Sequence, residues 1–340
     1  MINQPVPTFR AAHLLPYIDF LYEKGVPLEQ LLRKFNLPSA IENQPDSRLP
    51  LVPVLQFLSH VEHKEGLSDL GIMIGSKIDL KLLNPANRQA IMAAPDLTTA
   101  LSAFLGSVQA ESSVVHGWTT CEGTDVKICE AHRISLNDEE LRPMKIHFML
   151  LFLAIVRMFA GANWSPKAIG FPCRLPLSPV VGSRFPNTRF LFGQSCSWLS
   201  MPAEMLGLQK RQSAGSPTHQ SMLPPVLAPA WTHAKDLVSS LKDILKAYLS
   251  EGYPGIELAA EISGMSVRTL QRNLAQSQIT YSKVVERARF EAAVELLGNP
   301  GSKIIDIAYA VGYQDPSHFS RAFRRFSGAS PREYRMNGAA

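Results

Sequence analysis

The chain has 340 residues and a mass of 37.5 kDa, a length that suggests two domains of ordinary size. Apolar residues make up 46% and charged residues 19% of the sequence, which excludes wholesale disorder and is typical of a globular protein. The net charge of +5 and the isoelectric point of about 9.0 are compatible with a nucleic-acid partner but do not establish one.

Cysteine spacing and apolar runs favour a cytoplasmic protein. The four cysteines form no C-x-x-C pair, so we expect neither a zinc ribbon nor a disulfide framework. The N-terminus lacks a basic region followed by an apolar stretch, so no secretory signal is expected. The longest strongly apolar run, at 148–156, is too short to cross a bilayer and predicts a buried helix, so no membrane partner is expected.

The first 206 residues combine helical and strand-like patterns. Helices are predicted at 53–61, at 96–110 with Asp96 as the N-cap, and at 144–160. Residues 119–135 are rich in Thr, Val and Ile with little helical periodicity, which predicts a β-hairpin, and 188–200 predict further strands. We therefore expect an α+β domain over 1–206, with helices covering a sheet.

A change in texture separates this region from the rest of the chain. Residues 207–232 are rich in Pro, Ser and Gln without a sustained period, which predicts a linker. Residues 233–338 predict an all-α domain of about seven helices. One predicted helix runs from the region of Val238 through Leu249 and ends at Gly252 and Pro254. Another, at 282–297, has its apolar face predicted at Val285, Ala288, Ala292 and Leu296.

An internal repeat lies within the helical region. Ala260 is followed four residues later by Gly264, and Ala308 is followed in the same way by Gly312. The alanine lets two helices cross closely, and the glycine permits the positive φ of a tight turn. These patterns predict two helix-turn-helix units, at about 256–276 and 304–327, joined by the long helix at 282–297.

The second helix of each unit is predicted to present a polar face to solvent. Side chains of these faces suited to base edges are Arg268, Gln271, Arg272, Ser317, Ser320 and Arg321. Arginine can bind guanine, and glutamine can bind adenine, through two hydrogen bonds each. The joining helix would be about 24 Å long, which would set the two faces roughly one DNA turn, about 34 Å, apart. The faces therefore predict that one chain enters two successive major grooves.

Three stretches of the helical region form a known pattern. They are Ala260…Gly264…Ser266…Leu270-Gln271-Arg272, then Ile307-Ala308…Val311-Gly312-Tyr313, then Phe319-x-Arg321-x-Phe323-Arg324-Arg325-Phe326 leading to Ser330-Pro331-x-x-Tyr334-Arg335. This pattern resembles the AraC-type (arabinose regulator) DNA-binding domain. The resemblance implies double-stranded DNA and RNA polymerase as partners. It also implies that the six base-reading positions face the major groove. Phosphate contacts are then expected from Ser266, His318, Arg324 and Arg325.

Shorter motifs in the first domain carry a second resemblance. They are Gly25-x-x-Leu28-x-x-Leu31-Leu32, Asp69-Leu70-Gly71, Pro95-Asp96-Leu97-Thr98 and Phe190-x-Phe192…Leu199-x-Met201-Pro202. These motifs are similar to one branch of the AraC/XylS-type regulators, with the "arabinose-binding"-type N-terminal domain of ornithine-utilisation and quorum-related regulators. The resemblance implies that 1–206 senses a small-molecule effector. It names neither that effector nor its binding residues. Homodimerisation through this domain is a hypothesis.

Other constellations support no chemistry of their own. His60, Glu62 and His63 lack the H-E-x-x-H spacing of a metal site, and Gly71-x-x-x-Gly75 is not a nucleotide-binding motif. Ser239-x-x-Lys242 fits an ordinary amphipathic helix. Aromatic side chains could pack the core or line a pocket, namely Trp118, Phe148, Phe152 and Trp164. His116, His132 and His147 could contact an anionic effector. We predict no catalytic residue, no metal ion, no cofactor and no enzymatic activity.

The sequence therefore predicts a cytoplasmic, sequence-specific transcriptional regulator, with activation favoured over repression. A DNA-repair methyl acceptor is one alternative, because some carry an AraC-like domain, but its chemistry needs a zinc-activated cysteine cluster that the spacing does not offer. A non-specific architectural DNA binder is another alternative, and it predicts equal affinity for unrelated duplexes.

Overall fold

The computed structural model describes residues 4–64, 66–67, 70–174, 179–210 and 236–337. Most of the predicted linker, from residue 211 to residue 232, and Asp69 of the Asp69-Leu70-Gly71 motif lie outside the described residues. Seven strands occur in the part described: β1 (Thr8–Arg10), β2 (Arg48–Pro50), β3 (Val115–Glu122), β4 (Asp125–His132), β5 (Ala168–Phe171), β6 (Arg189–Phe192) and β7 (Ser197–Pro202).

The α-helices fall into two groups along the chain. Those before the predicted linker are α1 (Leu15–Glu23), α2 (Leu28–Lys34), α3 (Leu51–Lys64), α4 (Leu70–Met73), α5 (Pro85–Ala93), α6 (Leu97–Ser107), α7 (Arg142–Ala160) and α8 (Pro179–Arg184). Those after it are α9 (Leu237–Lys246), α10 (Ile256–Ile262), α11 (Val267–Gln276), α12 (Tyr281–Leu297), α13 (Ile304–Ala310), α14 (Pro316–Ser327) and α15 (Pro331–Asn337). The predicted fold class is confirmed, with seven helices among the described C-terminal residues.

The chain divides into two compact units. One unit comprises the described parts of Ala12–Leu28 and Val54–His233, and the other those of Met1–Ala11, Glu29–Pro53 and Ala234–Ala340. Two N-terminal segments therefore group with the C-terminal helices, which the sequence does not suggest. The domain boundaries predicted at residues 206 and 233 stay a prediction.

The compact unit that includes Val54–His233 is built on a five-stranded sheet in the order β3-β4-β7-β5-β6. β3 and β4 form an antiparallel hairpin, β4 pairs antiparallel with β7, and β7 with β5, while β5 and β6 are parallel. The hairpin turn contains Gly123 with φ of +61°, a conformation that favours glycine. The predicted hairpin is confirmed, although its first strand begins at Val115 rather than near 119.

α7 is the central helix of this unit. Phe148 and Phe152 are fully buried, and Phe152 meets Phe104 of α6 edge to face, with ring centroids 5.5 Å apart. A side chain at Gly117 of β3 would clash with Leu105, so the glycine allows α6 to approach the sheet closely. Within the described residues, α7 alone is long and apolar enough to cross a membrane by length and composition, and it is mostly buried inside the unit.

Short N-terminal segments complete the compact unit that contains the C-terminal helices. β1 and β2 pair antiparallel, with Phe9 opposite Leu49. The Val6 amide donates to Ser240 Oγ at 2.9 Å, and the Tyr248 hydroxyl donates to the Asn36 carbonyl at 2.6 Å. The end of α9 differs from the prediction, because the helix stops at Lys246 and a 3-10 turn carries the chain on to Gly252.

Candidate nucleic-acid interface

The first helix-turn-helix unit consists of α10 and α11. Gly264 in the turn has φ of +65°, and a side chain added there would meet open space. The Ser266 hydroxyl accepts a hydrogen bond from the Thr269 amide at 3.2 Å, which satisfies one of the free amides at the start of α11. The predicted positions of the turn and of the cap are both observed.

α11 has one buried and one exposed face. Leu270 and Leu274 are buried at 0% and 1% exposure and hold the helix against its unit. The predicted base-reading side chains Arg268, Gln271 and Arg272 are all exposed, as is Ser266 at the N-cap. A helix held on its apolar face thus offers guanidinium and amide groups to solvent on the opposite face, where they can form paired hydrogen bonds with base edges.

The second unit consists of α13 and α14 and has a more enclosed turn. Gly312 has φ of +80°, and a Cβ there would lie 2.5 Å from the Leu249 carbonyl oxygen and 2.7 Å from that of Gly252. Asp315 caps α14 by accepting a hydrogen bond from the Ser317 amide at 2.7 Å. That hydrogen bond is the main cause that holds the pKa of Asp315 below its usual value.

The polar side of α14 carries the remaining predicted site residues. Ser317, His318, Arg321, Arg324 and Arg325 are exposed, and Ser320 is half-buried. The Ser320 hydroxyl donates to the Pro316 carbonyl at 2.9 Å, so its proton is already engaged within the helix. Arg325 lies 3.7 Å from the carboxylate of Glu286 on α12. Serines and arginines therefore dominate this surface, in contrast to the Arg-Gln-Arg set of α11.

α12 joins the two units and is one residue longer than predicted at its start. Its first residue, Tyr281, donates its hydroxyl to the Pro254 carbonyl at 2.6 Å, next to α10. Its last turns contribute Ala293 and Leu297 to the core of the second unit, together with Phe319 and Phe323 of α14. The predicted apolar face is wrong in this half, because Leu296 is 37% exposed while Ala293 and Leu297 are buried.

Arg289 on α12 contacts the turn of the second helix-turn-helix unit, and no sequence pattern indicated this contact. Its guanidinium donates to the Gly312 carbonyl at 2.7 Å. The same group lies over two aromatic rings, 4.5 Å from the centroid of Tyr313 and 5.3 Å from that of Tyr253. One side chain thus links the joining helix to the turn of the second unit and to the segment that precedes the first.

Ion pairs fasten α9 to α12. Lys242 lies 2.6 Å from Glu291, and Lys246 bridges Glu291 at 3.1 Å and Glu295 at 2.8 Å. Burial opposes the charge on Lys246, but the two carboxylates outweigh it and raise the pKa of this lysine. These contacts fasten the joining helix to α9. The charges of these lysines and glutamates are therefore already paired.

Two family models match the chain. Residues 25–209 match the arabinose-binding domain of the AraC transcription regulator, N-terminal, and residues 259–337 match a helix-turn-helix domain. The first match alone covers more than half of the chain. The chain belongs to the AraC-type family of transcriptional regulators. It is accordingly a DNA-binding regulator with an effector-binding N-terminal domain, as the resemblance implied.

Relatives of known name align over nearly the whole AraC-type chain. The ornithine utilization regulator of Pseudomonas aeruginosa is 30% identical, and the alignment covers 97% of this chain and 96% of that protein. The transcriptional regulator VirS of Mycobacterium tuberculosis is 23% identical with the same two coverages. The crystal structure of the regulator CdpR from P. aeruginosa covers 96% of this chain and 98% of its own, at 15% identity and a TM-score of 0.40.

The candidate effector-contacting histidines have different immediate partners. His147 is buried against His13, with their ring nitrogens 3.0 Å apart. Burial is the main cause that lowers the pKa of His147, and the neighbouring His13 lowers it further. His132 instead lies 3.5 Å from Glu130, and burial raises the pKa of that carboxyl to about 8. His116 stacks on Trp118, with ring centroids 5.2 Å apart. Phe148 and Phe152 pack the core, and Trp118 lies against a separate apolar cluster.

Glu62 and His63, which lack the spacing of a metal site, contact other protein groups. Glu62 lies 3.1 Å from the guanidinium of Arg142, and the His63 ring lies 2.6 Å from the Ser59 carbonyl oxygen. Across the residues that the structure describes, no three His, Cys, Asp or Glu side chains are arranged to hold a metal ion.

Proposed function

We propose that this AraC-type regulator is an effector-responsive activator that places α11 and α14 in two successive major grooves of DNA. The supporting observation is the equivalent exposure of two polar faces, one in each unit, while Leu270, Leu274, Phe319 and Phe323 hold the opposite faces in the core. Two such faces along one joining helix are the arrangement that a bipartite operator requires.

The roles of individual side chains follow from their chemistry and exposure. Base readout is assigned to Arg268, Gln271, Arg272, Ser317, Ser320 and Arg321. Phosphate contact is assigned to Ser266, His318, Arg324 and Arg325. Because the Ser320 proton is engaged by the Pro316 carbonyl, Ser320 acts as an acceptor or contributes shape. The first unit therefore carries most of the base discrimination.

The joining helix supports the groove spacing. α12 has 17 residues and a length of about 25 Å at about 1.5 Å per residue. The packed units at its two ends extend this length toward the roughly 34 Å that separates successive major grooves on one DNA face. Where the match is incomplete, DNA bending at a cost of order a few kcal/mol would close the gap.

Regulation would work through linkage between the two functional regions. An effector that binds one state of the protein better shifts the population that binds DNA or contacts RNA polymerase. The proposal includes a homodimer, a cytoplasmic location and no catalytic role. Sedimentation at micromolar concentration, with and without DNA, tests the dimer: a monomer under both conditions would remove it.

Operator mapping followed by affinity measurement tests the proposed DNA recognition. Genome-wide mapping of bound DNA identifies the operator. Titrations then compare that operator with a scrambled duplex of the same length and composition at one salt concentration. We expect an affinity ratio of about 10³ or more. Equal affinities would instead indicate the architectural alternative.

A second assay separates the regulator from the methyl-acceptor alternative. Full-length protein is incubated with alkylated DNA, and its four cysteines are examined by mass spectrometry. We expect all four to stay unmodified. Stoichiometric transfer of a methyl group to a cysteine would favour the repair protein.

A further inference from the structure

Two cysteines meet on one face of the five-stranded sheet. Cys129 lies in β4 opposite Trp198 of β7, and Cys196 precedes Trp198 by two residues. Because side chains alternate between faces, Cys196 falls on the same side of the sheet as Cys129 and diagonal to it. Cys196 packs against the cluster of Cys129, Ala168 and Trp198. The two thiols are close enough for each to shift the pKa of the other.

The two thiols differ in solvent access. Cys129 is 2% exposed, whereas Cys196 is partly exposed, and both are free thiols. An oxidant in solution can therefore reach Cys196 first, with Cys129 beside it on the same face of the sheet. This is the arrangement of an attacking thiol and a resolving thiol.

The surroundings shift the pKa values of the two thiols in opposite directions. The hydrogen bond from Cys129 lowers the pKa of Cys196 to about 7; burial opposes this shift, and Ser195 and the ammonium of Lys127 support it. The same hydrogen bond and burial raise the pKa of Cys129. Near neutral pH, Cys196 thus has substantial thiolate character, and the thiolate is the reactive form.

The other cysteines lack this combination. Cys173 is buried, and burial is the main cause that raises its pKa to about 11. Cys121 is exposed near the end of β3, where its partner across the hairpin is Val126 rather than a second thiol. Both serve as internal references for the reactivity of Cys196.

We propose that Cys129 and Cys196 form a dithiol site that a hydroperoxide oxidises to an intramolecular disulfide. The Cys196 thiolate attacks the peroxide, the O–O bond breaks, and the alkoxide leaves and takes a proton to become the alcohol. Cys196 is then a sulfenic acid. The sulfur of Cys129 attacks the sulfur of Cys196, the S–O bond breaks, and the hydroxide leaves with the Cys129 proton as water. Two thiols and one hydroperoxide yield one disulfide, one alcohol and one water. Two molecules of a small thiol then reduce the protein disulfide to the two thiols and are themselves joined in a disulfide.

Trp198 provides an optical report of this reaction. Its ring lies directly over Gly170, where an added Cβ would lie 2.3 Å from the ring, and the Lys127 ammonium lies 4.2 Å from its centroid. The indole therefore has little room to move away from the thiols beside it. Disulfide formation is expected to change its fluorescence, and reduction is expected to restore it.

Peptide mapping tests the site in the full-length protein, independently of DNA binding. Reduced protein is treated with tert-butyl hydroperoxide, alkylated, and digested with trypsin without reductant. We expect peptide 128–133 joined to peptide 190–210, lighter by two hydrogens than their sum, and released by dithiothreitol. Cys129 and Cys196 remaining thiols at doses that oxidise Cys121 would overturn the proposal, as would a cross-link to Cys121 or Cys173.

Single variants separate the two roles. In Cys129→Ser, we expect no cross-link, a Cys196 sulfenic acid that dimedone traps, and an alkylation profile of Cys196 with its inflection moved above pH 7. In Cys196→Ser, Cys129 should stay reduced. Cys121→Ser is the matched control and should cross-link as the unmodified protein does. If Cys129→Ser folds and the alkylation profile of Cys196 is unchanged, the proposed interaction between the two thiols is contradicted.

Discussion

The two helix-turn-helix units share one sequence pattern but differ in how their turns are held. In the first unit, the Gly264 turn has open space around it, and α11 offers long side chains suited to paired hydrogen bonds. In the second, Gly312 is enclosed by two backbone carbonyls and bound by Arg289, and α14 offers serines and arginines. The same turn pattern can therefore stand in an open or an enclosed environment, and the helix that follows it can carry different polar side chains. This difference motivates the proposal that the first unit carries most of the base readout.

The largest expected effect separates the two turn glycines. Gly312→Ala places a Cβ against the carbonyls of Leu249 and Gly252 and forces a left-handed alanine. We expect a loss of about 2–5 kcal/mol in the free energy of unfolding, from about 1–2 for the backbone and about 1–3 for overpacking. Gly264→Ala is the matched control and should lose only the backbone part. Thermal and urea unfolding measure both, and equal losses would refute the difference in enclosure.

Arg289 tests whether the second unit depends on the joining helix. Arg289→Met removes a charged hydrogen bond to the Gly312 carbonyl and should lower the free energy of unfolding by about 1.5–3 kcal/mol. Arg287→Met, at an exposed position of the same helix, should have little effect. In operator titrations, discrimination should fall at base pairs facing α14 and persist at those facing α11. Loss at both half-sites alike would mean that Arg289 positions the whole domain.

Arg272 tests base readout by the first unit. Arg272→Ala should relax discrimination at one base pair by about 1–3 kcal/mol, because a paired contact to one base is lost. Gln276→Ala, at the exposed end of the same helix, is the control and should leave discrimination unchanged. Titration against operators with single base changes measures both variants. A uniform loss across all sequences would reassign Arg272 to phosphate contact.

The smallest effect concerns Arg325 in the second unit. Arg325→Ala should lower the affinity for all DNA sequences by the same factor. It should also reduce the magnitude of the slope of log affinity against log salt concentration by about 0.9. Glu286 lies 3.7 Å from this guanidinium and would compete with a DNA phosphate for it. An exposed pair of this kind is worth about 1 kcal/mol or less. Glu286→Gln should therefore raise affinity slightly. A salt slope that is unchanged in Arg325→Ala would exclude the phosphate contact.

Local sequence patterns predicted the elements of the interface well. The bounds of α10, α11, α13 and α14 agree with the predicted units, because small-residue crossings, turn glycines and the caps Ser266 and Asp315 act within a few residues. The hairpin of β3 and β4 was found for the same reason. Exposure of the polar faces also followed from helical periodicity.

Predictions that required choosing between faces or partners were less successful. α12 has apolar residues on more than one row, and only packing with the second unit decided that Ala293 and Leu297, rather than Leu296, are buried. Strands β1 and β2 have three residues each, too few for a pattern to be recognised. Their pairing and the grouping of 29–53 with the C-terminal helices arise between residues far apart in the chain.

The sequence by itself determined the family, the two helix-turn-helix units and the polar faces that they expose, because these depend on the spacing of neighbouring residues. The tertiary structure decided which glycine is enclosed, that Arg289 binds the second turn, and that Cys129 and Cys196 share one face of the sheet. These contacts join residues separated by 23 to 67 positions. No local periodicity records such pairs, since each becomes a contact only when helices pack and strands take their register.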